Sequence, residues 1–116
     1  MAARLLGVVL ADIIEAIDRI LAATSGKSFV DFEADWLLSL ATQRALEIIS
    51  EASSHIPDER LERFPDIPWK RVRGIGNILR HDYHKIADEV IWAVVTDSLV
   101  PLRAAVVMLQ LEEGEA

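Results

Sequence analysis

The stretch WKRVRGIGNILRHDYHKI, residues 69–86, holds most of this chain's unusual chemistry within roughly five helical turns. At 100° per residue, Val72, Ile75, Ile78, Leu79 and Ile86 fall on one arc, which predicts a helix with an apolar core stripe. Arg73, Asn77, Arg80, His81 and His84 fall on the opposite arc, with Lys70 beside them and Tyr83 at the border. Between Lys70 and Lys85 stand five Lys or Arg, two His and one Tyr against a single acid, Asp82. Over the whole chain, 12 Lys or Arg face 19 Asp or Glu, so the basic helix is a local reversal of an acidic background. One face of one helix is thereby suited to an anion such as a phosphate, a nucleotide or an RNA backbone.

Outward from this helix the pattern stays helical. Leu5, Leu6, Val9, Leu10, Ile13, Ile14, Ile17, Ile20 and Leu21 recur at three- and four-residue steps, and Thr24-Ser25-Gly26-Lys27 should stop that helix. Ser28 reads as the N-cap of a short helix carrying Phe29 and Phe32. A second long helix is expected from about Asp35 to His55, with Trp36, Leu37, Leu40, Ala41, Ala45, Ile48, Ile49 and Ala52 as its stripe. Pro57, Pro65 and Pro68 bracket a connection with at most two helical turns, and Pro68 is placed to open the basic helix. The last helix should start with Asp88 as N-cap and kink or break near Val100, ahead of Pro101. LEEGEA at the end reads as a frayed acidic tail. No strand alternation and no internal repeat is present, so the fold class is all-α: an antiparallel bundle of four main helices with one or two short ones.

Composition narrows the classes of function. A chain of 116 residues fits one domain. Without Cys there is no disulfide, thiolate zinc site or cysteine nucleophile. Asp12 and Glu15 interrupt the apolar run after Arg4, which argues against a signal peptide, and no window reads as a membrane span. The chain is expected to be soluble and cytoplasmic. A formal net charge of −7 argues against a nucleic-acid binder that is basic throughout, so any RNA contact must be local to residues 69–86 or pooled by a dimer.

The basic face could be a solvated surface, but two imidazoles beside guanidiniums with no acid on the arc suit phosphate chemistry better. Arg offers a planar fork to phosphate oxygens, and His is the natural acid or base near neutral pH. RNA cleavage needs a base at the 2′-hydroxyl and an acid at the leaving oxygen, roles that two copies of one His can share in a symmetric dimer. A metal site is the weaker idea, since no carboxylate joins His81 and His84 on that arc. His55 reads as a partner of its own helix C-terminus.

An ordered set of segments completes the reading: LADIIEAIDRI (10–20), GKSFVDFEAD (26–35), RALEIISEAS (44–53), IPWKRVRGIGNILRHDYHKI (67–86) and DEVIWAVVTDSLVPLRAAV (88–106). Across almost its whole length the chain resembles the HepT-like branch of the HEPN superfamily. The resemblance implies a single HEPN-like antiparallel four-to-five-helix bundle over residues 1–111 with an acidic tail at 112–116. It further implies a metal-independent endoribonuclease without a cofactor, acting as a homodimer on RNA. Such proteins are toxins encoded beside a minimal nucleotidyltransferase antitoxin, which transfers AMP to a motif tyrosine.

The family signature is Arg, four residues, His, any residue, Tyr. It places the His on His81 and the AMP-accepting Tyr on Tyr83, while its Arg falls on Gly76. Arg80 or Arg73 is then the expected replacement beside the catalytic His81, with Asn77, His84 and Lys70 as phosphate-binding neighbours. Restoring the signature by Gly76→Arg is expected to leave activity unchanged or raise it. The alternative is a catalytically impaired HEPN module that docks the nucleotidyltransferase and is AMP-modified by it. Tyr83 could equally be a core-edge tyrosine with its hydroxyl in a hydrogen bond.

Overall fold

The computed structural model describes residues 5–82 and 87–115, and of Asp82 and Glu115 the backbone only. All regular structure in these residues is helical: α1 (Leu6–Thr24), α2 (Phe29–Ala34), α3 (Trp36–Ser53), α4 (Asp58–Leu61), α5 (Trp69–Asp82), α6 (Asp88–Ala93) and α7 (Leu99–Glu115). A π turn, Val94–Ser98, joins α6 to α7 in one long helix. The chain is an all-α bundle, as its periodicity predicts.

Local signals set the helix ends. At the end of α1, Gly26 takes φ 75°, the left-handed conformation that costs a glycine little. Ser28 and Asp31 then form a reciprocal capping box: the Ser28 hydroxyl accepts from the Asp31 N–H, and the Asp31 carboxylate accepts from the Ser28 N–H. The Ser28 N–H bonded to it, and then the Ser28 hydroxyl beside it, hold the Asp31 carboxyl below its ordinary range. Asp35 caps α3 by accepting from the Leu38 N–H at 3.0 Å.

The central helix is α3, which packs against α1 on one side and α5 on the other, while α7 packs against α1. Val9, Leu10, Ile13, Ile17 and Ile20 of α1 are buried, as are Leu102, Ala105, Val106 and Leu109 of α7. Each large side chain buried in this way stabilises the fold by about 1.5–3 kcal/mol. Phe32 is fully buried, and its ring lies 5.1 Å from that of Trp92 on α6, which closes one end of the bundle. At the surface, Arg103 of α7 grips Asp18 of α1 with two bonds, at 2.6 and 3.0 Å. That guanidinium holds the Asp18 carboxyl below its usual range.

Several features differ from the sequence expectation. On α3 only Ala45, Ile49 and Ala52 of the expected stripe are buried, and Trp36, Leu37, Leu40, Ala41 and Ile48 are exposed. The core side includes Thr42 and Ser53, whose hydroxyls are satisfied by the Leu38 and Ile49 carbonyls of their own helix. Asp88 is the first residue of α6 and Ala87 its N-cap. The last helix does not break at Pro101. Its irregularity is the π turn one turn earlier, where the Leu99 N–H reaches back five residues to the Val94 carbonyl. A widened turn there makes room for the proline ring and loosens the requirement for the N–H it lacks. The acidic tail does not fray, because α7 continues to Glu115 and pins itself to the connection before α5. Arg60 binds Glu113 at 3.1 Å, and Arg63 pairs with Glu112. Finally, the helix spanning 88–114 is long and apolar enough, by length and composition, to cross a membrane. Here one side of it, through Ile91, Val95, Leu99 and Leu102, is part of the core.

Candidate functional site

The basic helix α5 is seated by a polar seam rather than an apolar one. Its inward line is Trp69, Val72, Gly76 and Leu79, with Trp69, Gly76 and Leu79 buried and Val72 half-buried. The expected stripe is therefore rotated. Ile75 is only half-buried, Ile78 is 47 % exposed, and Ile86 lies outside the described residues. The reason is Gly76, which has no side chain to register as apolar yet occupies the closest approach to α3. A Cβ at Gly76 would stand 2.6 Å from Ser50 Oγ and 2.8 Å from Ser50 Cβ. The Ser50 hydroxyl accepts from the Gly76 N–H at 3.1 Å and donates to the Arg73 carbonyl at 2.7 Å, so one side chain stitches two positions of α5.

Arg73 completes this seam. Its guanidinium donates to the Ser53 carbonyl at 3.3 Å, to the Ile56 carbonyl at 2.8 Å and to Asp58 Oδ1 at 3.0 Å. It satisfies carbonyls at the end of α3, where a helix leaves acceptors unpaired, and places a cation there. Arg73 thus acts as a clamp between α3, α4 and α5, with its fork already engaged. On this geometry Gly76→Arg is not a neutral change to the packing of α5 on α3. An arginine at 76 meets the Ser50 Cβ, which no rotation of a side chain can move aside.

Arg80 and His81 stand on the last turns of α5, and both are exposed, as is Asn77 one turn earlier. The Arg80 side chain folds back towards Gly76: its Nη1 lies 3.4 Å from the position a Cβ there would take. Arg80 also lines a cleft of about 210 Å³ between α1, α3 and α5, together with Asp12, Arg44, Glu47, Ile48, Glu51 and Ala52. Carboxylates therefore face the basic helix from neighbouring elements, which the arc of α5 alone does not reveal. Arg44 pairs with Glu47 within α3 at 3.2 Å, and His55, just past the end of α3, pairs with Glu51 at 3.1 Å.

The predicted residues separate into groups. Asn77, Arg80 and His81 share one end of the helix. Lys70 is exposed but lies eleven residues before His81, about 16 Å along the axis. Arg73 is eight residues away and committed to the clamp. Tyr83 and His84 lie outside the described residues. Ser50, Arg44 and Glu47 are additions that the sequence reading passed over. Ser50 and Ser53, spaced three apart on the buried side of α3, were the available signal that a helix approaches closely there.

Similarity to known proteins agrees with this architecture. The ribonuclease HepT-like family matches residues 13–109. The protein named "Putative RNase MJ1380" of Methanocaldococcus jannaschii is 34 % identical over 95 residues, covering 82 % of this chain and 87 % of its own. "Probable ribonuclease HepT" of Thermococcus cleftensis is 37 % identical over 94 residues, covering 81 % and 86 %. "Putative RNase TTE0752" of Caldanaerobacter subterraneus is 32 % identical over 94 residues, covering 81 % and 84 %. No solved structure matches significantly. An all-helical bundle, matched over most of its length by one family and by relatives of its own size, belongs to the ribonuclease HepT-like family of the HEPN superfamily.

Proposed function

We propose that this protein is a metal-independent endoribonuclease in which His81 is the acid–base residue and Arg80 supplies the cation lost at Gly76. The observation that carries this reading is the placement of Arg80. Its guanidinium covers the position where the signature arginine would begin, one residue from an exposed His81. In the proposed reaction a neutral His81 takes the proton of a ribose 2′-hydroxyl, and the 2′-oxygen attacks the adjacent phosphorus. The bond to the 5′-oxygen breaks, and a protonated His81 of a second copy returns a proton to that oxygen. The products are a 2′,3′-cyclic phosphate and a 5′-hydroxyl end. Arg80 stabilises charge on the non-bridging oxygens as it builds, and a fixed cation is worth most when charge develops in the transition state. Asn77 is a hydrogen-bonding neighbour for the same phosphate.

Two copies of His81 require a homodimer, so the working form is a two-fold dimer that brings both α5 ends to a shared cleft. The cellular setting that fits is a cytoplasmic toxin–antitoxin pair with a minimal nucleotidyltransferase as partner. The names of the relatives support the ribonuclease reading.

A second reading rests on Gly76 itself. With the signature arginine absent and carboxylates close to Arg80, the bundle could serve as a docking module for the nucleotidyltransferase, with AMP transferred to Tyr83. Cleavage of RNA in the presence of a metal chelator separates the two. Wild type should cleave and His81→Ala should be slower by about 10²–10⁴-fold, the usual worth of a positioned acid–base. No cleavage above the His81→Ala background, together with AMP transfer that Tyr83→Phe abolishes, would favour the docking module.

A further inference from the structure

From the cleft beside Arg80 we infer a nucleobase subsite that selects guanine, with Glu47 as the residue that reads the base. The inference deepens the ribonuclease reading and rests on it for the role of Arg80 at the adjacent phosphate. The cleft, at about 210 Å³, is on the scale of a single base and too small for a folded RNA element. Its chemistry is mixed. Ile48 and Ala52 offer apolar surface, Arg44 and Arg80 offer guanidinium planes, and Glu47, Glu51 and Asp12 contribute carboxylates. Apolar side chains and guanidinium planes stack on the face of any base, whereas carboxylates discriminate between edges.

An ionised carboxylate only accepts hydrogen bonds. Guanine is the base whose Watson–Crick edge places two donors side by side, N1–H and the N2 amino group, at a spacing that two carboxylate oxygens can meet. Adenine and cytosine set a ring-nitrogen acceptor next to their amino group, and uracil flanks its single N–H with two carbonyls, so each confronts a carboxylate with a repulsive lone pair. With the carboxylates of Asp12, Glu47 and Glu51 against the guanidiniums of Arg44 and Arg80, the lining has a small excess of negative charge, which favours a neutral base over its phosphate away from Arg80. A neutral base with donors can enter while its phosphate stays outside with Arg80 and His81 on the exposed end of α5.

Among the carboxylates, Glu47 is the one held for this task. Its side chain is only 20 % exposed and is fixed by Arg44 at 3.2 Å. Glu51 is 56 % exposed and paired with His55. Register also favours Glu47. Arg73 meets Ser53 and Gly76 meets Ser50 across the seam, so the next step, near Arg80 on α5, falls at Glu47 on α3.

The test measures binding of GMP, AMP, CMP and UMP to the full-length protein by calorimetric titration, in wild type, Glu47→Gln and Arg80→Ala. GMP should bind roughly tenfold more tightly than the others, the ordinary worth of one bidentate base contact. Glu47→Gln, with unchanged melting, should bring GMP down to the level of the rest, and Arg80→Ala should weaken all four alike. Equal binding of the four nucleotides, no binding of any, or a GMP preference that survives Glu47→Gln would overturn the inference. Since nucleotide binding needs no cleavage, a guanine preference erased by Glu47→Gln would hold even in a protein that cuts no RNA. Cleavage dependent on His81 with no base preference would remove the subsite and leave the ribonuclease reading in place.

Discussion

Two of the seams in this bundle are built from different chemistry. Between α1 and α7 the contact is apolar: α1 buries Val9, Leu10, Ile13 and Ile17, α7 buries Leu102, Val106 and Leu109, and a surface clasp runs from Arg103 to Asp18. Between α3 and α5 the key contact is a glycine against a serine, reinforced by an arginine that donates to two carbonyls and a carboxylate. The first seam is non-directional and tolerates small shifts. The second is directional and fixes the rotation and height of α5, which sets where Arg80 and His81 stand. A helix that must present polar side chains to solvent has few apolar ones left to anchor it, so hydrogen bonds and close backbone approach take over that role.

The largest expected effect on stability lies in the apolar seam. Ile13→Ala should cost about 2–5 kcal/mol in denaturant unfolding, because it empties a fully buried site. If the variant remains folded, it should leave RNA chemistry unchanged. Gly76→Ala should come next. The added methyl forces α3 and α5 apart at about 1–3 kcal/mol, offset by about 0.5–1 kcal/mol of improved helix propensity. Unlike Ile13→Ala it should slow RNA cleavage more than its stability loss explains, since α5 moves. Equal behaviour of the two variants would erase the distinction between the seams.

That contrast also explains what could be read in advance. Helices α1, α3 and α7 were legible as helices from apolar residues at three- and four-residue steps, and on α1 the expected face is the buried one. On α3 it is not, since Trp36, Leu37, Leu40, Ala41 and Ile48 are exposed while Leu38, Thr42 and Leu46 face the core. The capping box at Ser28 and Asp31 follows from local chemistry alone. On α5 the same rule pointed to Ile78, which is exposed. Gly76 leaves no hydropathy signal, but its propensity cost mid-helix pointed to close packing against another helix or to space for a ligand, and the structure shows the close packing, against Ser50 of α3. Arg73 was placed on the polar arc correctly but assigned to phosphate, since one helix considered alone cannot show the carbonyls at the end of α3. The carboxylates of the Arg80 cleft come from α1 and α3, and only the tertiary fold brings them to the basic helix.

Smaller effects sharpen the comparison. Ser50→Ala should cost about 1 kcal/mol, the loss of a buried hydroxyl serving two backbone groups that keep their helix partners. Asp18→Asn should cost less than about 1 kcal/mol near neutral pH, as the clasp is exposed to solvent. Its pH signature has a definite sign. The folded-state carboxyl is held low, so its contribution is present above the unfolded value of about 3.9 and is lost as pH falls through the folded value. Acid titration of stability should therefore be shallower below pH ~4 in Asp18→Asn than in wild type. A parallel pair of curves would mean that the clasp contributes nothing measurable.

The most direct test of the central claim is the rate of RNA cleavage by Arg80→Ala in chelator, beside wild type and with melting followed in the same samples. Arg80 pairs with no carboxylate among the described residues, so its removal should leave the fold intact. The account predicts a fall of about 10²-fold or more, the usual cost of removing a fixed donor at developing charge. Cleavage at the wild-type rate in a normally folded Arg80→Ala protein would contradict it, because the cation lost at Gly76 would then not be supplied by Arg80.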